Sequence, residues 1–198
     1  MVRETGAGGL PGGWATFVAE VRARPERYFG VDGGSEELPT EVLQRVVHEA
    51  LHRADGTHRR IAVEIAADLA FTVTDDRRHA PGPPTRLLPG PAAGAAAALS
   101  VRTVVEVWAD GRGHRREANG PLAPAPWREC PAPRPHGTRL HLALDPDRRA
   151  PGAALAWALL PVELHDPTCP TPATFPLHDL RTTHTPAPTN PPDHPTTG

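Results

Sequence analysis

A chain of 198 residues with 38% hydrophobic residues can form one ordinary domain, but 26 prolines and 18 glycines are too many for every segment to be packed. The formal net charge of −2 excludes the strong positive field that attracts nucleic acid or anionic membranes. No stretch resembles a signal peptide or has the roughly 20 apolar residues of a membrane span, so we expect no membrane contact and a cytoplasmic protein.

Composition divides the chain into three parts. Residues 1–13 are rich in glycine and residues 161–198 in proline and threonine, and neither segment shows the apolar pattern of a core. We therefore expect a disordered N-terminal tail, one domain over residues 14–160, and a largely disordered C-terminal tail. The two cysteines, Cys130 and Cys169, lack the spacing of a zinc site or a disulfide framework, so we expect free thiols.

Two helical patterns open the domain. Apolar residues at helical spacing over residues 14–24, followed by Pro25, predict a first helix. The clearest pattern spans residues 39–54, with Thr40 as the expected N-cap and Gly56 just past the end. Its apolar stripe predicts a buried core helix and consists of Val42, Leu43, Val46, Val47, Ala50, Leu51 and Ala54.

A second strip of this central helix is polar. At about 100° per residue, Arg45, Glu49 and His52 lie about one turn apart and away from the apolar stripe. The strip either lines a site or faces solvent. In the second case an Arg45–Glu49 ion pair would stabilise the helix by about a few tenths of a kcal/mol, and periodicity alone favours this solvated face.

The next patterns are a hairpin and a short helix. Residues 61–65 and 69–74 are rich in β-branched residues and are joined through residues 66–68, which predicts two antiparallel strands. Proline makes residues 80–91 a loop, and the alanine run at residues 92–99 predicts a short helix with little side chain to bury.

The second half of the domain is again mostly strand. Residues 101–109 and 114–118 predict a hairpin that turns at residues 110–113. After a proline-rich excursion at residues 121–135, alternating leucines predict a last strand at residues 138–144, and residues 153–160 predict one more helix. The order of elements predicts an α+β fold, a two-layer sandwich with a mostly antiparallel, mixed sheet covered on one face by helices.

The order of the short motifs resembles a known family. Arg-Pro-x-x-Tyr-Phe-Gly at residues 24–30, Thr-Val-Thr-Asp at residues 72–75 and His-Gly-Thr at residues 136–138 are similar to motifs of the N-terminal ATPase domain of gyrase B and topoisomerase IV B subunits. These domains belong to the GHKL superfamily, and the resemblance covers about residues 17–147. It implies a Bergerat-like fold that holds ATP and Mg²⁺ between helices and sheet under a flexible lid, as part of a DNA strand-passage machine.

The resemblance also implies which residues would bind the nucleotide. Asp75 matches the carboxylate that accepts a hydrogen bond from the adenine amino group, and Thr138 matches the hydroxyl that supports it. Gly137 precedes that threonine, and Gly90 matches a glycine of the lid. By resemblance, these four residues are the expected cofactor-binding positions.

The catalytic positions depart from the family pattern. Where the family helix presents a general-base Glu, an Asn that holds Mg²⁺ and an Asp, the alignment gives Arg45, Glu49 and His52. Arginine has no lone pair to accept a proton, so we expect hydrolysis to be crippled. Glu49 is the one candidate metal ligand, since a carboxylate oxygen suits Mg²⁺.

The nucleotide-holding glycines also depart from the pattern. Arg77 and His79 replace two glycines that let backbone approach the adenine, so their side chains should occupy the space of the ring. The lid is reduced to residues 80–94, where Pro91 lacks an amide hydrogen for phosphate and the loop is too short to cover a triphosphate. We do not expect tight ATP binding.

Three functional hypotheses remain. The favoured one is a degenerate ATPase-like domain that acts as a non-hydrolysing binding or regulatory module for an unknown protein partner or in a homodimer, without topoisomerase activity of its own. The alternative is an active ATP-binding GHKL protein, related to gyrase B or to histidine kinases and anti-sigma factors, with Glu49 as general base. The third uses the hairpin arginines Arg112, Arg115 and Arg116 on nucleic acid, but such a turn is usually solvated, and we expect no direct DNA binding.

Overall fold

Seven strands form one sheet in the computed structural model, which describes residues 13–52, 59–84, 88–120, 125–164 and 174–181. In chain order they are β1 (Ile61–Ala67), β2 (Ala70–Asp75), β3 (Ser100–Ala109), β4 (Arg112–Ala118), β5 (Arg128–Pro131), β6 (Gly137–Leu144) and β7 (Leu177–Asp179). Across the sheet the order is β5-β4-β3-β6-β2-β1-β7, and only the β1–β7 pair is parallel. The predicted α+β fold with a mostly antiparallel, mixed sheet is confirmed.

Helices pack against one face of this sheet. They are α1 (Gly13–Ala23), α2 (Glu26–Phe29), α3 (Leu38–Leu51) and α4 (Pro91–Ala98). The leucines of β6 alternate with half-buried or exposed residues and join the helices in one apolar cluster, as the period of two predicts. This arrangement is consistent with the predicted two-layer sandwich. Among the described residues, no helix is both long and apolar enough to cross a bilayer.

The apolar stripe of α3 is buried as predicted for every member that the structure describes, namely Val42, Leu43, Val46, Val47, Ala50 and Leu51. Burying one such valine or leucine contributes about 1.5–3 kcal/mol, so this stripe fixes the helix against the sheet. The predicted start is wrong, because the helix begins at Leu38 and the hydroxyl of Thr40 instead accepts a hydrogen bond from Ala156 N, at 3.0 Å. Proline is tolerated in a first helical turn, which lets the helix start earlier than the cap pattern indicates. Ala54 and Gly56 lie outside the described residues.

Both predicted hairpins are present, with shorter turns than predicted. The β1–β2 turn consists of Asp68 and Leu69, since Ala67 already pairs with Ala70. The β3–β4 turn consists of two residues at positions 110 and 111, whose φ angles of 50° and 75° are those of a type I′ turn. The alanine-rich helix α4 is confirmed and begins one residue early, with a proline in its first turn.

The helix predicted at residues 153–160 is wrong. This segment is a non-helical strap that buries Ala153 and Leu155, and Leu155 N donates to Asp68 O in the β1–β2 turn, at 2.7 Å. Arg181 also donates to the carbonyl of Leu155, at 2.7 Å. The backbone groups of the strap therefore bond to distant segments, and these contacts override the helical propensity of alanine and leucine.

The sheet extends further than predicted at both edges. Strand β5 lies in the proline-rich excursion, and β7 lies in the segment predicted as a disordered tail. Leu164 and Phe175 are buried, so the predicted domain boundary at residue 160 is too early. Short edge strands tolerate proline because one side of the backbone needs no ladder partner, and this is why composition conceals them. Of the predicted tails at residues 1–13 and 161–198, the parts at residues 1–12, 165–173 and 182–198 lie outside the described residues.

Candidate functional site

The candidate site lies where β2 ends, β6 begins and α3 passes over the sheet. Asp75 and Thr138 are register partners at the ends of β2 and β6, and their side chains face the helices. Glu49 reaches the same place from α3, and Arg77 enters from the loop after β2. The structure therefore brings together Asp75, Thr138 and Glu49, which the sequence nominates separately.

The carboxylate of Glu49 binds the first turn of α4. Its Oε2 accepts a hydrogen bond from Ala92 N, at 2.5 Å, and the carboxylate also accepts from the amide of Ala93. The first amides of a helix lack partners within the helix and carry a partial positive charge, so a carboxylate is a favourable partner there. Burial nevertheless raises the pKa of Glu49 above its ordinary value, because it outweighs these amides and the charge of Arg77.

The predicted solvated strip on α3 is therefore wrong for Glu49. Arg45 is exposed, whereas Glu49 is turned toward α4 and is not its ion-pair partner. The ring of His52 stacks near that of His48, with centroids 4.3 Å apart. Helical period places these residues on one strip, but it carries no information about which distant segment approaches the strip.

Asp75 is held by the backbone and side chain of Arg77. Only 4% of the Asp75 residue is exposed, its Oδ1 accepts from Arg77 N at 2.9 Å, and its Oδ2 lies 3.7 Å from Arg77 Nε. Burial raises the pKa of Asp75, and the Arg77 amide and guanidinium offset only part of that effect. Arg77 Nη1 also donates to Pro89 O, at 2.8 Å, so the guanidinium ties the end of β2 to the loop before α4.

The hydroxyl of Thr138 is paired with His79. His79 Nε2 lies 2.8 Å from Thr138 Oγ1. Burial, with the positive charges of Arg77 and Arg59 adding to it, lowers the pKa of His79 to about 4. The imidazole is therefore neutral at pH 7, and a charged imidazolium there would be costly.

The two glycines of the candidate site are required by contacts within the chain. A Cβ at Gly137, whose φ is 147°, would lie 2.7 Å from Asp75 O and 3.0 Å from Trp108 Cε3. A Cβ at Gly90 would collide with the carboxylate of Glu49. Each glycine allows the close approach of another part of the protein.

Little space remains among these groups. The cavity bounded by Glu49, Asp75, Arg77 and Thr138 has a volume of about 20 Å³, which is room for about one water molecule. An adenine ring does not fit there unless Arg77 leaves. The site also offers Mg²⁺ only one carboxylate of α3, already hydrogen-bonded to α4, and the described residues contain no group of three or more His, Cys, Asp or Glu suited to a metal ion.

A larger cavity lies on the other side of Arg77, and sequence reasoning missed it. Its volume is about 390 Å³, and it lies between residues 77–84, residues 88 and 89, strand β3 and Trp127. Val105 and Val107 form its floor. Both lie on the face of β3 that is turned toward the helices, as the leucines of β6 are. The alternation of β3 is the signal that could have indicated this wall.

The hairpin arginines do not form one basic surface. Arg115 is paired with Glu106 at 2.9 Å, and Arg116 stacks over the ring of Trp127, with 4.8 Å from its Cζ to the ring centroid. Neighbouring residues of a strand point to opposite faces, which separates the two guanidiniums. Cys130 is a free thiol whose pKa is raised by burial, and Cys169 lies outside the described residues.

Comparison with known proteins adds no assignment. No protein-family model matches the chain, and a search of curated proteins found no significant match. The resemblance to the gyrase B ATPase domain therefore stays a prediction, based on the motifs and on the placement of Asp75, Thr138 and Glu49.

Proposed function

We propose that this chain is a non-hydrolysing binding or regulatory module, built as a degenerate relative of the GHKL ATPase domain of type IIA topoisomerase B subunits. The observation that carries the proposal is the hydrogen bond from Ala92 N to the carboxylate of Glu49. A helix N-terminus is a natural site for phosphate, and here a carboxylate of the same chain already occupies it. A phosphate brought to the same amides would meet the negative charge of Glu49.

The adenine end of the site supports the same proposal. Arg77 and His79 use the hydrogen-bonding groups of Asp75 and Thr138 that the resemblance assigns to the base. Binding adenine there would require breaking a buried ion pair and a buried hydrogen bond, each of which costs free energy. We therefore expect at most weak ATP binding.

Hydrolysis has no evident base in the favoured alignment. Arg45, at the position of the family's general base, is exposed and cannot accept a proton. Without hydrolysis, a binding function is left. Its expected target is a protein partner or a second copy of the chain, rather than DNA.

Calorimetric titration of the full chain with a non-hydrolysable ATP analogue and Mg²⁺ tests this proposal. We expect no saturable binding at micromolar nucleotide and no ATP turnover. Asp75→Asn is the matched control, because it keeps the volume of the side chain and removes the acceptor charge. Micromolar binding to the wild type that is lost in Asp75→Asn, together with measurable turnover, would overturn the proposal.

One observation favours the alternative of an active ATPase. Glu49 lines the same small cavity as Asp75, and burial raises its pKa, which is a property that enzymes give to carboxylates acting as general bases. If Glu49 is the base, Glu49→Gln should abolish ATP turnover, since an amide cannot accept the proton. Turnover that is absent from the wild type, or equal in Glu49→Gln, removes this alternative.

A further inference from the structure

The larger cavity has the size of a site for a small molecule. Its volume of about 390 Å³ lies within the range of about 300–1,000 Å³ that is usual for ligand pockets. Val105 and Val107 line one side, Leu88 and several loop prolines line another, and Trp127 provides an aromatic wall. None of these side chains fills the space between them.

The proline walls of the cavity favour an apolar body over a polyhydroxylated one. The prolines of the lining are Pro81, Pro83, Pro84 and Pro89, and none of them has a backbone N–H to donate. A sugar placed against these prolines would lose hydrogen bonds to water without replacement. A flat apolar ring loses nothing of that kind and can stack against an indole.

The charges around the cavity are positive and not balanced by its lining. Arg77 and Arg78 line it, and no Asp or Glu among the described residues does. Arg77 is engaged by Asp75 and Pro89, whereas the exposed Arg78 has no ion pair with any described residue. Arg78 is therefore free to bind an anion at the edge of an apolar cavity.

A second cation lies behind the aromatic wall. The guanidinium of Arg116 stacks over the ring of Trp127. Burial alone lowers the pKa of Arg116, and no carboxylate of the described residues forms an ion pair with it. Arg78 at the cavity and Arg116 on the ring of Trp127 thus both contribute positive charge that no described carboxylate pairs with, which favours an anionic ligand over a neutral or cationic one.

We propose that this cavity binds a small aromatic carboxylic acid as its anion, with the carboxylate on Arg78 and the ring among Trp127, Val105 and Val107. The inference goes beyond the proposed function, whose target is a protein partner or a second copy of the chain, and gives the module a small-molecule ligand. Arg77 separates this cavity from the filled site around Asp75, so the two can be tested independently.

Titration of the full chain with 1-naphthoate, followed by calorimetry and by the indole NMR signal of Trp127, tests the inference. A fragment of this size should bind with a Kd of about a millimolar or tighter. The uncharged 1-naphthamide has nearly the same shape and should bind about tenfold or more weakly, because it lacks the charge-assisted hydrogen bond.

Two variants locate the interaction. Arg78→Gln should weaken 1-naphthoate about tenfold or more and leave 1-naphthamide unchanged, whereas Arg45→Gln removes another exposed arginine, on α3, and should change neither affinity. Arg78 is exposed, so its replacement should not affect folding. No saturable binding of 1-naphthoate, or equal binding by Arg78→Gln and the wild type, would overturn the inference.

The same variants keep this result apart from the proposed function. ATP binding that is lost in Asp75→Asn and kept in Arg78→Gln would contradict the proposed loss of the nucleotide site. It would not alter the outcome for 1-naphthoate, which is decided by the Arg78 variant and the amide control.

Discussion

The two cavities on either side of Arg77 share a wall and differ in almost every other respect. Beside Asp75 about 20 Å³ remains, and each charged group is bonded to another part of the chain. Beside Trp127 about 390 Å³ remains, and Arg78 has no ion-pair partner among the described residues. The side chains of Arg77 and His79 thus occupy the space beside Asp75 and Thr138, while the prolines at positions 81, 83 and 84 line the other cavity. If the account is correct, disturbing the first cavity should cost stability, and disturbing the second should cost only binding.

The largest expected effect is that of Arg77→Ala. Removing this guanidinium leaves the carboxylate of Asp75 buried without its cation, which should lower the free energy of unfolding by about 2 to 4 kcal/mol at pH 7. Urea denaturation measures the loss, and Arg78→Ala is the control, expected within about 0.5 kcal/mol of the wild type.

The pH dependence of that loss has a definite sign. The pKa of Asp75 is already raised in the folded protein and should rise further without Arg77, so folding favours its protonated form. The deficit of Arg77→Ala should therefore shrink as the pH falls through the folded-state pKa. A deficit that is independent of pH, or equal losses for Arg77 and Arg78, would break the contrast between the cavities.

The second effect is that of Glu49→Ala. It removes the acceptor for the amides of Ala92 and Ala93 at the start of α4 and should cost about 1–2 kcal/mol, with relief of the buried charge offsetting part of the loss. Glu49→Gln keeps an acceptor oxygen without the charge and should lose less. Faster hydrogen exchange at residues 92 and 93 in Glu49→Ala alone would identify the cause.

At pH 7 a smaller effect is expected from His79, and it grows on acidification. Its folded-state pKa of about 4 lies below the ordinary value of 6.5, so the unfolded chain binds the proton more readily and stability falls as the pH drops from 6.5 to about 4. His79→Gln can keep a hydrogen bond to Thr138 and cannot titrate. The difference in unfolding free energy between wild type and variant should slope in this pH window, and a flat difference would contradict the placement of His79.

The smallest effect is that of Arg45→Ala. This arginine lies one turn from Glu49 on α3, but it is exposed, so its removal should change the free energy of unfolding by less than about 0.5 kcal/mol. Thermal denaturation alongside Glu49→Ala makes the comparison within one helix. A loss as large as that of Glu49→Ala would mean that the two side chains act as a pair after all.

The elements whose form depends on the local spacing of apolar residues were predicted correctly. The stripe of α3 and both hairpins follow from the spacing of apolar residues, so the sequence was sufficient for them. The strap at residues 153–160 and the parallel strand β7 were missed, because their backbone bonds reach Asp68 and Val63 across the chain. No propensity records such contacts.

In the candidate site, too, some contacts could be predicted from the sequence and others could not. The pairing of Asp75 with Thr138 follows from the strand ends and was expected by resemblance, as was the placement of Arg77 and His79 beside them. The bond from α4 to Glu49 could not be predicted, since it depends on how closely two helices approach. The cavity beside Trp127 was missed for a similar reason, because its walls come from three separate segments.

The central claim is that the chain's own side chains fill the site beside Asp75. The most direct test follows the backbone amide NMR signals of Arg77 and Ala92, which donate to Asp75 and Glu49, while the full chain is titrated with a non-hydrolysable ATP analogue and Mg²⁺. Both signals should stay in place at micromolar nucleotide. Saturable shifts of both signals that disappear in Asp75→Asn would contradict the claim.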